Sequence, residues 1–567
     1  MAHPTEQALG KAESVYDLLS YRACVQGDEN AFFYLDKKND IVSKASFVEL
    51  FEKCEAFSDN LVAEGLEKKY IAILCDNDIN YLFAFLGALI TPAIPITVNP
   101  VHRDIISFLE NIKRTVGELT VVASRKYATK YKNILEAVAK RLLVAEEIID
   151  RGAIGGVDRN RYRGASEDIA FLQFSSGSTT KPKGIIISNK NLLDNSRQIQ
   201  IKYEHTRDTI GMSWMPNYHD LGLIGGIFQP LYAGFKIYIF SHMSFISRPL
   251  KWLEAISRYR VNTTGGPNFA YDLCVERFSS AGDIDPDLSS WDVAFIGADR
   301  IYMNTLDRFH AVFKRYGFRK EAYLPAYGLA ETVLFATAIG KRELPESQSL
   351  AGGRPGEYVS CGKPVDTTVA VVDPLSKVEL AHGKVGEIWL KGDSIAKGYL
   401  YDHDGSSVFL SELSDSGRQG RYLNTGDLGF KDDAGNLYIT GRSKEVMIVN
   451  GENIYPQDIE HAARCSDTSA VGSRVAAFQI SRDIVLLVEI KRQFLKRQAE
   501  ITDLPELIKE KIYDICGVVI EEVILVNPNS IPVTTSGKIK RLSCRHLYPN
   551  GLSRVFAVSD MKVGEVE

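Results

Sequence analysis

The sequence predicts an α/β protein of two domains, and three features of the chain support this. Helical and strand patterns alternate through the N-terminal part, which indicates parallel strands with helices on both faces of the sheets. After about Pro364 the pattern changes to strands joined by short turns, which predicts a β-rich subdomain. A new mixed unit begins beyond Gly441 and Arg442. The predicted domains are therefore residues 1–443 and 444–567.

The first elements of the N-terminal domain follow this alternation. The stretch SFVELFEKCEAFSDNLVAEGL is amphipathic at the helical period, and YIAILC follows it as a buried strand. The uncharged stretch from Tyr81 to Val98 is just long enough to resemble a membrane span. However, Pro92 and Pro95 divide it into a helix of roughly ten residues and a short strand. We therefore expect a buried helix here and no membrane span.

Further strands are expected in both parts of the N-terminal domain. They are LTVVAS, IYIF and VAFIG in the α/β part, and TTVAVVDP, GEIWLKG and GNLYITGR in the β-rich part. Near Ser443 and Lys444 no Pro-rich or Gly/Ser-rich linker is visible, so the joint between the domains is predicted to be short.

Composition and charge indicate a globular protein that does not bind nucleic acid. Apolar residues make up 45% and charged residues 25% of the chain, which is typical of a globular protein. The formal net charge is −5, and there is no dense run of Lys or Arg, so nucleic acid is an unexpected partner. The N-terminus lacks the apolar segment of a secretory signal, which predicts a cytoplasmic protein. The eight cysteines form no CxxC pair and are expected to be reduced and mostly buried.

The loop between two predicted strands in FLQFSSGSTTKPKGIIIS, Phe171 to Ser188, is unusually rich in small polar residues. Backbone N–H groups and hydroxyls in such a loop can converge on an anion, most often a phosphate, and Lys183 would add a positive charge. The pattern is not the GxxxxGK[ST] phosphate loop, and a solvated polar hairpin is the alternative interpretation. The candidate phosphate-binding residues are Ser175, Ser176, Gly177, Ser178, Thr179, Thr180 and Lys183.

Five motifs in fixed order identify the superfamily. FSSGSTTKPKG resembles the phosphate-binding loop of the acyl-adenylate-forming enzymes, which include acyl-CoA synthetases, luciferases and the adenylation domains of peptide synthetases. The other four are AYGLAET, NTGDLG, GRSKEVMIVNGENIYPQDIE and TTSGKIKR. Any one of these motifs could occur by chance, but all five in register make the resemblance specific.

Two longer stretches are similar to the fatty acyl-AMP ligases within that superfamily. They are SWMPNYHDLGLIGGIFQPLYAG and GGPNFAYDLC. An amino-acid substrate is disfavoured, because NYHD stands where peptide-synthetase domains carry an Asp for the substrate ammonium group. The resemblance implies that the protein activates a fatty acid with ATP and Mg²⁺, releases pyrophosphate, and transfers the acyl group to an acyl carrier protein.

The resemblance also implies a fold. It consists of a large N-terminal domain with mixed sheets and flanking helices, a distorted barrel-like β subdomain, and a small α+β C-terminal domain. The last is joined by a hinge, for which Lys444 is the candidate.

The resemblance assigns the charged groups of the reaction. Because a carboxylate must approach an anionic triphosphate, the site must supply positive charge where negative charge develops. Lys538 matches the C-terminal lysine that contacts the carboxylate and the bridging oxygens, and Glu331 matches the Mg²⁺ ligand. Without the motifs these would be a surface lysine and an ordinary acid at a helix start.

Nucleotide and acyl contacts follow in the same way. Asp427, expected on a tight Gly-containing turn, and Arg442 are assigned to the ribose, and Tyr327 to the adenine. The other residues near the adenine are Gly297, Ala298, Asp299 and Gly328, with Asp299 standing where the family usually has Glu. The acyl pocket or its gate is expected at Trp214, Tyr218, His219, Gly266, Pro267, Asn268 and Phe269.

Two departures from the ligase pattern favour an alternative. The interval from Glu331 to Ser360 is shorter than the usual inserted segment, which is thought to restrain the domain rotation needed to use free CoA. The stretch NGENIYP resembles the acyl-CoA synthetase form of the hinge motif. An acyl-CoA synthetase is therefore the second hypothesis. A catalytically silent nucleotide-binding relative is a third, although Lys538, Glu331 and Asp427 are all retained.

Overall fold

The structure is a computed structural model, and it describes most of the chain. The described residues are 10–100, 105–152, 162–174, 183–281, 284–350, 357–402, 408–414, 420–449, 452–465, 469–534, 538–548 and 551. Within these ranges the chain forms two large sheets, an antiparallel β subdomain and a separate C-terminal sheet.

The first large sheet has six strands, and all pairs but the last are parallel. In spatial order the strands are Arg141–Val144, Leu119–Ala123, Tyr70–Leu74, Ile94–Thr97, Ile169–Phe174 and Gly184–Ser188. The uncharged stretch considered above forms the helix Ile79–Leu89, which Asp78 caps by accepting from two backbone N–H groups. The prediction of a buried helix followed by a short strand is confirmed.

The second large sheet has eight strands, and many residues that line the candidate active site belong to it. In spatial order they are Thr337–Ala338, Tyr323–Tyr327, Val293–Ile296, Thr263–Gly266, Ile210–Ser213, Lys236–Ile239, Asn30–Leu35 and Ile41–Ser46. The pairs at the two edges are antiparallel and the inner pairs are parallel. Because parallel strands run in one direction, the loops that follow them gather at one edge of the sheet.

Helices cover these sheets, and their apolar faces join the strands in a large core that contains Trp214, Trp252 and Trp291 and in a second core formed by the six-stranded sheet and the helix Ile105–Val116. The helices of this part are Val15–Gln26, Phe47–Ala63, Ile79–Leu89, Ile105–Val116, Arg125–Lys130, Lys132–Val138, Ala145–Arg151, Asn189–Tyr203, Gln229–Ala233, His242–Ser247, Leu250–Tyr259, Asn268–Ala281 and Met303–Phe313. One further segment, Leu221–Phe228, is a π-helix.

The β subdomain is an antiparallel sheet of four strands in chain order. They are Thr368–Val372, Gly386–Lys391, Leu423–Lys431 and Leu437–Arg442. Single bridges extend it, from Ser360 to Tyr438 and from Ser411 to Tyr422. Beside it, the short strands Ser347–Gln348 and Tyr358–Val359 form a two-stranded ladder.

The C-terminal unit has an α+β arrangement. A two-stranded ladder, Met447–Val449 with Glu452–Ile454, precedes a sheet of Val471–Ile480, Asp483–Ile490 and Glu522–Val526. Its helices are Pro456–Arg464, Leu504–Cys516 and Arg541–Leu547. The apolar core of this unit begins at Met447, whereas the N-terminal core ends at Leu437. The boundary at 443/444 itself stays a prediction.

The predicted fold class is confirmed by this architecture. Each strand expected from a short apolar run is present, and the six buried cysteines outnumber the exposed Cys24 and the half-buried Cys465. In the part of the chain that the structure describes, no helix is both long and apolar enough to cross a membrane.

Candidate active site

A cavity of about 1200 Å³ opens between the large sheets, the β subdomain and the C-terminal unit. Its lining includes residues that follow parallel strands of the eight-stranded sheet, together with Asp427 from the β subdomain and Lys538 from the C-terminal unit. Glu331 and Lys183 also line it. Residues separated by more than 350 positions in the sequence therefore share one space.

The adenine side of the cavity follows the strand Val293–Ile296. A Cβ atom at Gly297 would lie 2.6 Å from the carbonyl oxygen of Ala326, so only glycine allows the two loops to approach this closely. Ala298 has φ +67°, a left-handed conformation that is strained for a residue with a side chain. Such strain clusters at binding sites, which agrees with the predicted nucleotide contact.

The residues predicted to bind the ribose form a hydrogen-bonded group. The Tyr327 hydroxyl donates to Oδ2 of Asp427 at 2.7 Å, and Arg442 Nε lies 3.1 Å from Oδ1. Burial raises the pKa of Tyr327, and the Asp427 charge raises the pKa of Arg442. A carboxylate offers about four lone-pair sites, so Asp427 can still accept from two ribose hydroxyls.

Asp427 was expected on a tight turn, but it lies within the strand Leu423–Lys431. The pairing of this strand is interrupted where Trp389 faces Asn424 and Glu387 faces Leu428. Gly426 has φ +70° in this irregular stretch, which gives the bend that was attributed to a turn. The required glycine was predicted correctly, but the element that holds it was not.

Glu331 is enclosed by a short 3₁₀ turn, Ala330–Thr332, and not by the start of an α-helix. The Tyr399 hydroxyl donates to Oε1 of Glu331 at 2.9 Å, and Lys183 Nζ lies 4.4 Å from the centre of the Tyr399 ring. Burial raises the pKa of Glu331. Any Cβ on Gly328 would overlap the carbonyl oxygen of Leu334, which explains the glycine in this motif.

The residues present are compatible with Mg²⁺ bound through the nucleotide. Among the described residues, no group of three His, Cys, Asp or Glu side chains could hold a metal ion by itself. Mg²⁺ commonly uses one or two carboxylates together with phosphate oxygens and water. A single, partly buried carboxylate such as Glu331, beside the cationic Lys183, fits this mode of binding.

Lys538 reaches the cavity from the C-terminal unit. Its backbone N–H donates to the Thr534 hydroxyl at 3.0 Å, and its carbonyl oxygen accepts from the Thr534 N–H at 2.7 Å. Burial acts to raise the pKa of Asp220, but its interaction with His219, whose Nδ1 lies 2.5 Å from Oδ1 of Asp220, and the charge of Lys538 outweigh burial, so that this pKa is lowered. Lys538, His219 and Asp220 all line the cavity.

Arg541 fixes the loop that carries Lys538, and sequence reasoning did not identify it. Its guanidinium donates to Glu460 from two nitrogens, each at 2.7 Å, and to Glu445 at 2.6 Å. The side chains of all three residues are at most 12% exposed. Glu445 adjoins the predicted hinge Lys444, which is exposed and also lines the cavity.

The predicted acyl-pocket residues divide into two groups. Those that line the cavity are His219, Pro267, Asn268 and Phe269. Trp214, Tyr218 and Gly266 are not among the lining residues. Trp214 is stacked on Phe245 with ring centres 4.0 Å apart, and a Cβ at Gly266 would lie 2.6 Å from its indole. Trp214 therefore packs against residues behind the cavity wall and is not itself a lining residue.

Other lining residues were not predicted as site residues, although Gln229 lies within the ligase-like stretch SWMPNYHDLGLIGGIFQPLYAG. They include Gly211, His205, Gln229 and Phe235. Gln229 Nε2 lies 3.2 Å from His205 Nδ1, and burial lowers the pKa of His205 to about 3, so its ring is neutral. The neighbouring walls are mostly apolar, as a site for an acyl chain requires.

The phosphate loop can be described only at its ends. The predicted residues Ser175, Ser176, Gly177, Ser178, Thr179 and Thr180 lie outside the described residues. The flanking strands Ile169–Phe174 and Gly184–Ser188 pair antiparallel, with Phe174 opposite Gly184. This pairing places both ends of the loop at one point.

Comparison with known proteins shows which family the chain belongs to. A family model described as AMP-binding enzyme matches residues 20–400, and one described as Disco-interacting protein 2-like, AMP domain, matches residues 444–555. The chain is 33% identical over 573 residues to the medium-chain-fatty-acid–[acyl-carrier-protein] ligase JamA of Moorena producens (strain JHB), with 95% of each chain covered. It is 32% identical over 578 residues to the putative fatty-acid–CoA ligase fadD21 of Mycobacterium tuberculosis (strain CDC 1551 / Oshkosh), covering 94% of this chain and 98% of that protein.

A solved structure shows the same likeness. The fatty acyl-adenylate ligase from L. pneumophila, in complex with acyl adenylate and pyrophosphate, superposes with a TM-score of 0.74 at 30% identity. The match covers 96% of this chain and 99% of that one. Because the first family model and these full-length relatives span most of the sequence, the chain belongs to the AMP-binding family and is an adenylate-forming ligase of the fatty-acid ligase type.

Proposed function

We propose that this chain activates a fatty acid with ATP to give the acyl adenylate and pyrophosphate, and then transfers the acyl group to the phosphopantetheine thiol of an acyl carrier protein. The convergence of Asp427, Glu331 and Lys538 on one cavity carries this proposal. The mostly apolar inner part of the cavity provides a place for an acyl chain away from water. JamA, whose name specifies a carrier-protein ligase, supports the choice of acceptor.

The proposed nucleotide contacts are inferred from the hydrogen bonds among the lining residues. Asp427 accepts from the ribose hydroxyls while Tyr327 and Arg442 hold its carboxylate in place. The adenine lies beside Ala298 and Asp299, and the phosphates extend toward Lys183. These roles are proposals that rest on the shared cavity and on the motifs.

In the first step an oxygen of the fatty-acid carboxylate attacks the α-phosphorus of ATP. The bond from that phosphorus to the pyrophosphate oxygen breaks, and pyrophosphate leaves with the bonding electrons. No general base is needed, because a carboxylic acid is already ionised near neutral pH. Lys538 is placed to stabilise the charge that develops on the reacting oxygens.

Glu331 is the residue proposed to hold Mg²⁺. When bound, the ion neutralises negative charge on the phosphates. The protein itself orients this partly buried carboxylate through the hydrogen bond from the Tyr399 hydroxyl. Because burial raises the pKa of Glu331, the cation must compensate for the unfavourable ionisation of this acid.

In the second step a thiolate attacks the carbonyl carbon of the acyl adenylate. The proton of the thiol has passed to solvent before the attack, and the new thioester forms as the bond from carbon to the phosphate oxygen breaks and AMP leaves with the bonding electrons. Lys538 occupies the approach to this carbon, so the C-terminal unit, residues 444–567, must rotate about Lys444 before the thiol can enter.

An acyl-CoA synthetase remains the second candidate, for a specific reason. In the described part of the interval from Glu331 to Ser360, Lys341 contacts the N-terminal part, with its Nζ 3.0 Å from Asp292 and 3.5 Å from Glu204. Those contacts would not restrain the C-terminal unit. Free CoA would then be accepted unless another contact restrains the rotation.

The experiment that separates the candidates measures pyrophosphate release dependent on a fatty acid, followed by detection of the acyl product. The proposal expects adenylation with a medium- or long-chain acid and faster thioester formation on a carrier protein than on CoA. Equal or faster acyl-CoA formation would make the protein an acyl-CoA synthetase. No pyrophosphate release with any fatty acid, despite ATP binding, would identify a silent relative.

A further inference from the structure

A buried ion pair joins the two units beside the adenine residues. Arg300 directly follows Asp299, and its side chain is only 5% exposed. Its NH1 atom lies 2.5 Å from Oδ1 of Asp458, a side chain that is 22% exposed in the first turn of the helix Pro456–Arg464. Sequence reasoning could not find this pair, because its members are 158 positions apart.

Aromatic contacts surround the pair. The Arg300 guanidinium lies 4.4 Å from the centre of the Tyr358 ring. The Tyr302 ring stacks on His461 with centres 4.0 Å apart and an interplanar angle of 4°, and its hydroxyl donates to the Gln457 carbonyl oxygen at 3.1 Å. Burial lowers the pKa of His461 to about 3, so the stacked ring is neutral. We call Arg300, Tyr302, Asp458 and His461 the latch.

The latch positions the loop that carries Lys538 as well as the helix Pro456–Arg464. Glu460 of the same helix receives two hydrogen bonds from Arg541, which lies three residues after Lys538. The helix and the lysine loop are thus held together within the C-terminal unit. Fixing the helix at Arg300 and Tyr302 therefore fixes where Lys538 enters the cavity.

Another ion pair between the units provides a contrast. Lys491 Nζ lies 3.2 Å from Glu276, but the two side chains are 39% and 54% exposed. Exposed pairs contribute little, because water and salt screen them. Removing one member of a buried pair is strongly unfavourable, since the other charge is left without compensation. The latch is therefore the contact between the units that a single substitution should disturb most.

We propose that Arg300 and Tyr302 are positioning residues that latch the C-terminal unit in the arrangement with Lys538 at the cavity. This inference rests on the proposed two-step function, and it assigns the restraint on rotation to the latch. With the latch closed, adenylation is favoured and a small thiol such as CoA has poor access. A carrier protein supplies docking energy of its own to open it.

The first test measures the orientation of the units without any acyl chemistry. Donor and acceptor dyes at Val42 and Val519, which are 64% and 71% exposed, report the distance between the units by single-molecule energy transfer. Asp458→Asn keeps the shape of the side chain but leaves Arg300 buried without its counter-charge. We expect the population ratio of the open to the closed arrangement to rise at least about tenfold in this variant.

Two matched variants make the orientation result specific. The charge-reversed pair Arg300→Glu with Asp458→Arg should restore much of the closed population, whereas Lys491→Met should leave the distribution unchanged. An unaltered distribution in Asp458→Asn would overturn the proposal. The same shift in Lys491→Met would also overturn it, because the effect would then not depend on burial.

The second test uses catalysis. Asp458→Asn should lower the kcat of adenylation while the Kd for ATP stays within about twofold, and should raise acyl-CoA formation relative to carrier charging. A loss of ATP affinity equal to the loss in rate would contradict a positioning role. If no fatty acid is activated at all, the proposed function fails, but the orientation measurement still decides whether the latch exists.

Discussion

Asp427→Asn tests the predicted contact with the ribose, and the expected loss of ATP affinity can be worked out from the structure. The substitution keeps one oxygen acceptor, so the Tyr327 hydroxyl retains a partner, but a ribose hydroxyl loses its charged acceptor. Arg442 is 43% exposed, so loss of its attraction is screened and adds about 1 kcal/mol at most. The dominant loss is a hydrogen bond to a charged group, about 1.5–3 kcal/mol.

This loss corresponds to roughly 10- to 140-fold weaker binding, because each 1.4 kcal/mol is a factor of ten. ATP and the acyl adenylate share the ribose, so the Kd of both should rise by the same factor. Calorimetric titration with ATP and with a non-hydrolysable acyl-adenylate analogue measures this directly. In kinetics, the KM for ATP should rise much more than kcat falls.

A matched control is available on the same sheet. Asp432 accepts hydrogen bonds from Asn436 and Tyr438 outside the cavity, so Asp432→Asn should leave ATP binding unchanged. Wild-type affinity in Asp427→Asn would refute the ribose role. An equal loss in Asp432→Asn would show that the sheet had been disturbed and that the interpretation of Asp427 was wrong.

Three further changes test other parts of the site. Glu331→Gln should raise the Mg²⁺ concentration needed for adenylation. Because burial raises the pKa of Glu331, the Mg²⁺ concentration that the wild type needs should rise as the pH falls, whereas that of the variant should not change with pH; Mg²⁺ titrations at several pH values measure both. Gly225 lines the cavity and a Cβ atom there would meet open space, so Gly225→Leu should shift the substrate preference toward shorter fatty acids, while Gly225→Ala should change it little. An unchanged preference of Gly225→Leu in a chain-length series would place the acyl chain elsewhere. Arg541→Met leaves the buried Glu460 and Glu445 without a guanidinium partner and should lower the free energy of urea unfolding of the C-terminal unit by about 3–5 kcal/mol, with partial recovery in Arg541→Lys. An Arg541→Met variant as stable as the wild type would contradict the role of Arg541.

The sequence predicted those parts of the site that depend on local pattern. Glu331, Asp427 and Lys538 were identified from short motifs, and the structure brings them to one cavity. The helix and strand within Tyr81–Val98 could be separated because proline limits helices regardless of the fold. The alternation of strands and helices sufficed for the fold class, since that pattern depends on which faces are buried.

The remainder depends on contacts that local pattern does not contain. Trp214 is aromatic and adjoins a ligase-like motif, yet it packs against Phe245 behind the wall of the cavity. His205 follows the helix Asn189–Tyr203 and Gln229 begins the helix Gln229–Ala233, and the two side chains meet in the cavity although they are 24 positions apart. The pairing of Arg300 with Asp458 depends on how two separate units meet. Such arrangements follow from tertiary packing alone.

The most direct test of the central claim is fatty-acid-dependent pyrophosphate release by the wild type and by Lys538→Ala. A lost oxyanion donor costs about 2.7–4 kcal/mol, so we expect a 10²- to 10³-fold slower rate with the Kd for ATP nearly unchanged. Lys540, which is not a lining residue of the cavity, provides the control, and Lys540→Ala should retain the wild-type rate. An undiminished rate in Lys538→Ala, or a wild type that releases no pyrophosphate with any fatty acid, would contradict the account.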